Sequence, residues 1–240
     1  MNLILFERDE IERPLRREDV RAAHLLEVLR RKEGETFDAG LVDGPRGKGT
    51  VAAIGREAIT LRFAWGAEPP PLDPIILIVG LPRPQTARKL LQEAASLGVR
   101  AIHFVSTEKG EPGYAHSTLW RQGEWRRHLV AGAEQAFDTR LPSVSHGRPL
   151  AAVLDGLEED GLRVALDNYE SPQALGACPL PKNPAGAALA LGPERGWSAA
   201  ERDLLRARRF TFAHLGPRVL RAETAAVAAL AILKSRLGWI

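Results

Sequence analysis

Two glycine–proline pairs stand where apolar runs end and helices are expected to begin. In the first, Leu189-Ala-Leu191 runs into Gly192-Pro-Glu-Arg-Gly196. Ser198, with Glu201 three residues on, then makes the pattern of a capping box. In the second, Phe212-Ala-His-Leu215 meets Gly216-Pro217, followed by Arg218, Arg221, Glu223 and Thr224. A strand that turns through glycine into a helix is where α/β proteins hold ligands, because backbone N–H groups and small residues admit close approach. The G-x-G-x-x-G spacing of dinucleotide sites is absent, and either segment alone also fits an ordinary structural turn. Thr224 suits a capping role, and Glu223 suits the positive end of a helix. The six histidines show no metal-ligand spacing, and the single cysteine, Cys178, excludes a disulfide framework and a cysteine-cluster metal site; no metal is expected.

The elements that must position these segments follow from periodicity. Residues 74–80 form a continuous apolar run, as for a strand buried on both faces of a parallel sheet. A helix over 86–97 closed by Gly98, a strand over 101–105, a long helix over 120–137, strands over 162–166 and 187–191, and helices over 199–208 and 222–237 follow. That alternation predicts an α/β domain. Upstream, Ala67-Glu-Pro-Pro-Pro-Leu-Asp-Pro74 cannot sit inside a helix or central strand and reads as a stiff linker. Before it lie short strands over 2–6, 36–42, 49–54 and 58–63 and a helix over 19–32 stopped by Gly34, the pattern of a small barrel. The expected domains are 1–70 and 74–240.

At 240 residues, 45% hydrophobic and 26% charged, the chain is an ordinary globular composition with no apolar run long enough to span a membrane. The amino terminus turns acidic within seven residues without a basic leader, so a cytosolic protein is expected. Of 33 basic residues only six are lysine, and arginine's planar fork suits phosphate and base edges. The net charge of +3 divides as −1 before Pro69 and +4 after it, so bulk charge does not announce a nucleic-acid partner.

The two glycine–proline segments together carry a resemblance. Gly192-Pro-Glu-Arg-Gly196 and Leu215-Gly-Pro-Arg-Val-Leu-Arg-Ala-Glu-Thr-Ala225 resemble the RsmE-type 16S rRNA (uridine-N(3)) methyltransferases of the SPOUT class. Leu97-Gly-Val99, Ala133-Glu-Gln135, Leu141-Pro142, His24, Val28-Leu-Arg30 and Gly34 match in the same order along the chain. The resemblance implies a small PUA-like, RNA-binding β-barrel followed by a SPOUT α/β domain with a trefoil knot, working as a homodimer that binds S-adenosylmethionine. It places Leu191, Gly192, Pro193, Gly196, Leu215, Gly216, Val219, Leu220, Thr224 and Ala225 at the cofactor, and Arg8, Arg17, Arg30 and Arg140 at RNA. Departures from the family pattern fall at Arg195, beside the cofactor loop, and at Glu93, Ser96 and Asp138, on the expected RNA-facing side. They leave two other readings open: a related enzyme acting on another RNA, or a non-catalytic RNA-binding dimer.

Methylating a uridine ring nitrogen requires positioning, loss of the imide proton and stabilisation of the resulting anion. Arg221 is the candidate for holding that anion or a phosphate, with an ion pair to Glu223 or Glu194 as the alternative. Glu194 and Glu223 are candidates for the base, with capping of backbone N–H groups as theirs. Arg202, Arg206, Arg208 and Arg209 read equally as a solvated helix face or an RNA track. Trp197 follows the first loop directly and is a candidate for stacking, although burial is the default for tryptophan.

Overall fold

The computed structural model describes residues 3–181 and 184–240; Asn2, the first residue of the expected amino-terminal strand, lies outside them. The chain forms two compact units, one of Met1–Pro71 with Ala133–Leu141 and one of Leu72–Gly132 with Pro142–Ile240.

The smaller unit is built on a curled half-barrel sheet of β1 (Ile4–Phe6), β2 (Leu15–Arg16), β3 (Thr36–Leu41), β4 (Arg46–Ile54) and β5 (Ala58–Trp65). The strand order is β1-β3-β4-β5-β2, with β1 parallel to β3 and the other pairs antiparallel. Alternation along β5 turns Ile59, Leu61, Phe63 and Trp65 inward onto Phe6, Phe37 and Val51. The helix expected over 19–32 is shorter. Asp19 caps α1 (Val20–Ala23), which widens into a single looser turn at His24–Val28. It ends before Gly34, because Arg30 already takes a left-handed backbone at φ 52°.

Residues 133–141, assigned by sequence to the larger domain, are stitched into this unit by contacts that no local pattern shows. Thr139 Oγ1 donates to Gly44 O at 2.5 Å, Asp43 N–H to Thr139 O at 2.9 Å and Leu141 N–H to Asp43 Oδ1 at 2.9 Å. Leu5 N–H donates to the half-buried Glu134 carboxylate at 2.9 Å. Burial, the largest influence, raises the Glu134 carboxyl above the usual range, against the lowering effects of that hydrogen bond, Arg21 and His24.

The larger unit carries a six-stranded parallel sheet, with strands β6 (Asp73–Gly80), β7 (Val99–Ser106), β8 (Ser143–Pro149), β9 (Leu162–Leu166), β10 (Ala187–Leu191) and β11 (Thr211–Ala213). Their order is β11-β9-β10-β6-β7-β8. The chain first builds outward from β6 to β8, then returns so that β10 lies between β6 and β9. Crevices at the carboxyl ends of strands form at such a reversal. Both central strands read as unbroken apolar runs, and every residue of β10 is buried.

The helices are α2 (Pro84–Ser96), α3 (Thr118–Arg121), α4 (Trp125–Ala136), α5 (Leu150–Leu154), α6 (Ala199–Ala207) and α7 (Ala222–Leu237). The single helix expected over 120–137 is therefore broken, at Gly123 with φ 70°. α2 buries Ala87, Leu90, Leu91, Ala94 and Ala95, a stripe at helical spacing. Ser96 is not turned outward as its expected RNA-facing position requires. Its hydroxyl donates to Gly132 O at 2.9 Å, where a Cβ on Gly132 would lie 2.2 Å from Gln92 O. α7 is fastened by the buried Lys234, which donates to Leu97 O and pairs with Asp73, both at 2.8 Å.

Candidate active site

Three loops meet at the carboxyl edge of the sheet, following β9, β10 and β11. Between them lies a cleft of about 820 Å³, including its open mouth. The loop after β10 is folded tightly: Gly196 N–H donates to Pro193 O at 2.8 Å, and a Cβ on Gly192 would lie 3.1 Å from Gly196 Cα and Trp197 N. The end of β6 presses on the same loop, since a Cβ on Gly80 would lie 2.5 Å from Pro193 Cδ. Glycine at 80 and 192 lets two backbones approach closely enough to form the cleft floor.

Behind the loop the expected capping box is present. Ser198 Oγ accepts from Glu201 N–H at 3.1 Å, and Glu201 Oε2 accepts from Ser198 N–H at 2.8 Å. Glu201 Oε1 also accepts from Glu108 N–H at 2.8 Å, and Lys109 Nζ donates to Trp197 O at 2.9 Å. Trp197 is buried, its Nε1–H donating to Leu166 O at 3.1 Å, so the indole braces two of the cleft loops and is unavailable for stacking.

Of the expected cofactor residues, Leu191, Gly192, Pro193, Gly196, Leu215, Val219, Leu220 and Ala225 line this cleft. Gly216 and Thr224 do not. Gly216 takes φ 108°, and the space where its Cβ would stand is open, so glycine serves the backbone turn there rather than contact. Thr224 lies exposed inside α7, whose N-cap is Arg221, so the threonine does not cap the helix.

The cleft gains residues that the sequence did not point to. Asp167 sits just past β9 and accepts from the N–H groups of Tyr169 and Glu170, at 2.7 and 2.8 Å. Its other oxygen accepts from Arg202 Nε at 2.8 Å; the two side chains are only 1% and 9% exposed. Tyr169 stands at the cleft with the Arg202 guanidinium 5.5 Å from its ring centroid. Arg202 is thus neither solvated nor on an RNA track. Arg206 pairs with Glu170 and Asp203, and Arg208 with Asp155. A short loop after a strand of an α/β sheet is the one general signal that could have drawn attention to 167–169.

A second cleft, about 910 Å³ with its mouth, adjoins the first through Glu194 and Ala222 and is lined also by Arg83, Gln85, Thr86, Lys89, Arg221 and Glu223. All three candidate catalytic residues meet here, but not paired with one another. Glu223 is held by Lys89 Nζ at 3.1 Å, and Glu194 accepts from Arg83 N–H at 3.1 Å, with Arg83 Nε at 3.6 Å. The Arg221 side chain makes no hydrogen bond or ion pair among the described residues. The Glu223 carboxyl is lowered below its usual range, first by its own backbone N–H at the start of α7, then by Lys89 and the charge of Arg221.

Of the expected RNA-contacting residues, Arg8, Arg17 and Arg30 are exposed on the smaller unit. Arg140 is tied inward by hydrogen bonds to Asp43 O and Pro69 O, at 3.2 and 3.5 Å, and an ion pair with Glu68 at 3.4 Å. Asp138 accepts from the N–H groups of Thr139 and Arg140, so it shapes the same turn.

Residues 68–234 match the family model of an RNA methyltransferase domain. Across 97% of the chain, the sequence is 32% identical to the ribosomal RNA small subunit methyltransferase E of Treponema pallidum, spanning 90% of that protein. The chain belongs to the RsmE-type RNA methyltransferase family. A second RsmE-type relative, from Borreliella burgdorferi, is 26% identical over 99% of both chains. The fold is shared with the Neisseria gonorrhoeae RsmE structure, solved bound to S-adenosylmethionine, with a TM-score of 0.75, 24% identity and 98% of each chain covered. Among the described residues no group of histidine, cysteine and acidic side chains could hold a metal ion, and no helix is long and apolar enough to cross a membrane.

Proposed function

We propose that this RsmE-type protein transfers a methyl group from S-adenosylmethionine to ring nitrogen N3 of a uridine in 16S ribosomal RNA of the small subunit. The observation that carries the reading is the junction of the two clefts: a cleft lined by glycine turns, apolar side chains and charged groups adjoins a second that holds Arg221, whose side chain makes no ion pair among the described residues.

The first cleft fits the cofactor. Its walls combine Leu191, Leu215, Val219 and Leu220 with the carboxylate of Glu194, the mix of apolar surface and a few polar groups typical of small-molecule sites. The close approach of Gly192 to Gly196 and Trp197 keeps this loop compact beside the cleft. When bound, S-adenosylmethionine supplies an electrophilic methyl group on a sulfonium. The protein's part is to hold the acceptor ring in place and to stabilise the negative charge that develops as N3 loses its proton, and Arg221 is the residue we assign to the second. The relatives named for small-subunit ribosomal RNA support that substrate, and the shared fold supports the cofactor.

On this reading the smaller unit is a PUA-like RNA-binding module whose exposed Arg8, Arg17 and Arg30 contact phosphates. The larger unit is a SPOUT domain with a trefoil knot in its carboxyl-terminal backbone, and the enzyme works as a cytoplasmic homodimer. Arg140 serves RNA only by shaping the turn it is tied to. Calorimetric titration with S-adenosylmethionine tests the cofactor, and absence of binding refutes the reading. Mass spectrometry of ribosomal RNA nucleosides from a deletion strain tests the substrate: N3-methyluridine at a small-subunit position is expected to vanish, and its persistence refutes the assignment. Light scattering tests the dimer.

A further inference from the structure

The second cleft holds three cations, Arg83, Lys89 and Arg221, against two carboxylates, Glu194 and Glu223. The ion pairs there are exposed on their cationic side: the side chains of Arg83 and Lys89 are 65% and 59% exposed. Pairs of that kind contribute about 0–1 kcal/mol, so an incoming anion can share or take over either cation at little cost. Between these cations the first turn of α2 presents Gln85 and Thr86 to the cleft, and the amino-terminal end of a 13-residue helix favours negative charge.

We propose that this cleft seats the acceptor nucleotide, with Arg83 and Lys89 taking its phosphate and Arg221 facing the ring, and that Glu194 and Glu223 hold these cations rather than accept the ring proton. The proposal rests on the methyltransferase reading. A carboxylate that already accepts from a lysine and from its own helix N–H, as Glu223 does, is a poor proton acceptor. Glu194 is engaged by the Arg83 backbone N–H. The ring proton therefore leaves to water, and the anion left on N3 and its flanking carbonyl oxygens is balanced by Arg221. The phosphate is the natural partner of α2, because two cations and a helix terminus converge in a cleft where Glu194 and Glu223 engage the cations from one side and leave Arg83 and Lys89 more than half exposed on the other.

The test uses the full-length protein without cofactor. Backbone amide shifts of residues 83–90 are followed by NMR during titration with uridine 5′-monophosphate and, separately, with uridine. S-Adenosylhomocysteine affinity is measured in the same samples by calorimetry. The monophosphate is expected to bind roughly 10-fold tighter than the nucleoside, as two charge-assisted contacts would give. Lys89→Met should erase most of that preference, Lys89→Arg should keep it, and neither should change S-adenosylhomocysteine affinity. Equal binding of the two ligands, no binding of the monophosphate, or an unchanged preference in Lys89→Met overturns the proposal. If S-adenosylhomocysteine itself fails to bind the unmodified protein, the methyltransferase reading falls instead. Glu223→Gln should leave the shape of the pH–rate profile intact; loss of a limb of the profile would identify Glu223 as the base and overturn the assignment of the proton.

Discussion

Asp167 holds a buried ion pair at the first cleft, and Asp167→Ala measures its weight. Its Oδ2 accepts from Arg202 Nε at 2.8 Å with both side chains nearly solvent-free, and its Oδ1 receives two backbone N–H groups. Breaking a buried pair from one side costs about 3–5 kcal/mol, because the remaining charge is left uncompensated. Arg202 keeps a second partner, Glu170 at 3.4 Å, whose side chain is 41% exposed, which places the cost near the low end, about 3 kcal/mol. For a unit of this size about 2–4 °C is lost per kcal/mol, so the melting temperature should fall by about 6–12 °C. Scanning calorimetry reads this directly. Adding Arg202→Met removes the stranded charge, so the double variant should be less destabilised than the sum of the single ones by more than about 1 kcal/mol. Because the same turn carries Tyr169 at the cleft, affinity for S-adenosylhomocysteine should weaken in Asp167→Ala as well. A fall of under 2 °C, or strict additivity of the two substitutions, would refute the view that this ion pair organises the loop after β9.

Gly80→Ala should damage the cleft from below. Its Cβ would stand 2.5 Å from Pro193 Cδ and 2.6 Å from Pro193 N, so the loop after β10 must shift; cofactor affinity measured by calorimetry should drop with a loss of about 1–3 kcal/mol in stability. Arg221→Ala should reduce turnover by 10²-fold or more, in the range for loss of one preorganised stabilising group, while S-adenosylhomocysteine affinity stays within about two-fold; equal losses in both would mark a structural arginine. Glu134→Gln should stabilise the protein at neutral pH. A carboxyl raised on folding binds its proton more tightly in the folded state, so its contribution is lost as pH rises from the usual carboxylate range through the raised value. Glutamine keeps the acceptor for Leu5 N–H without the buried charge, and urea midpoints measured across pH 4 to 7.5 should show a flatter dependence than in the parent protein.

The sequence pattern was most legible where local chemistry decides structure. The apolar runs of β9 and β10, the Ser198–Glu201 capping box and the full extent of α7 all follow from periodicity and end signals within a few residues. Legibility failed where a strand has little to bury. β8 is almost wholly exposed, includes Gly147 and ends in Pro149, and its place in the sheet comes from pairing with β7 rather than from alternation. The expected helix over 120–137 concealed its break, since an isolated glycine at 123 is compatible with either outcome.

The same distinction explains what could and could not be read of the site. Glycines and apolar residues that shape the first cleft lie in two short segments, so their grouping was visible as a motif. Charge partners are different, because a carboxylate within reach of several arginines in sequence can be claimed by one far away. Arg221 had Glu223 two residues on, yet the structure gives that carboxylate to Lys89, 134 positions distant, and gives Glu194 to Arg83, 111 positions distant. Likewise Arg202 had Glu201 and Asp203 beside it and pairs instead with Asp167, 35 residues upstream. Helix geometry accounts for this: neighbours at i±1 point to different faces, so adjacent acids do not neutralise an arginine that the fold turns inward. Sequence could therefore single out Arg221, Glu194 and Glu223 without their partners, and it is the long-range pairing of the two carboxylates that leaves Arg221 outside any direct ion pair among the described residues.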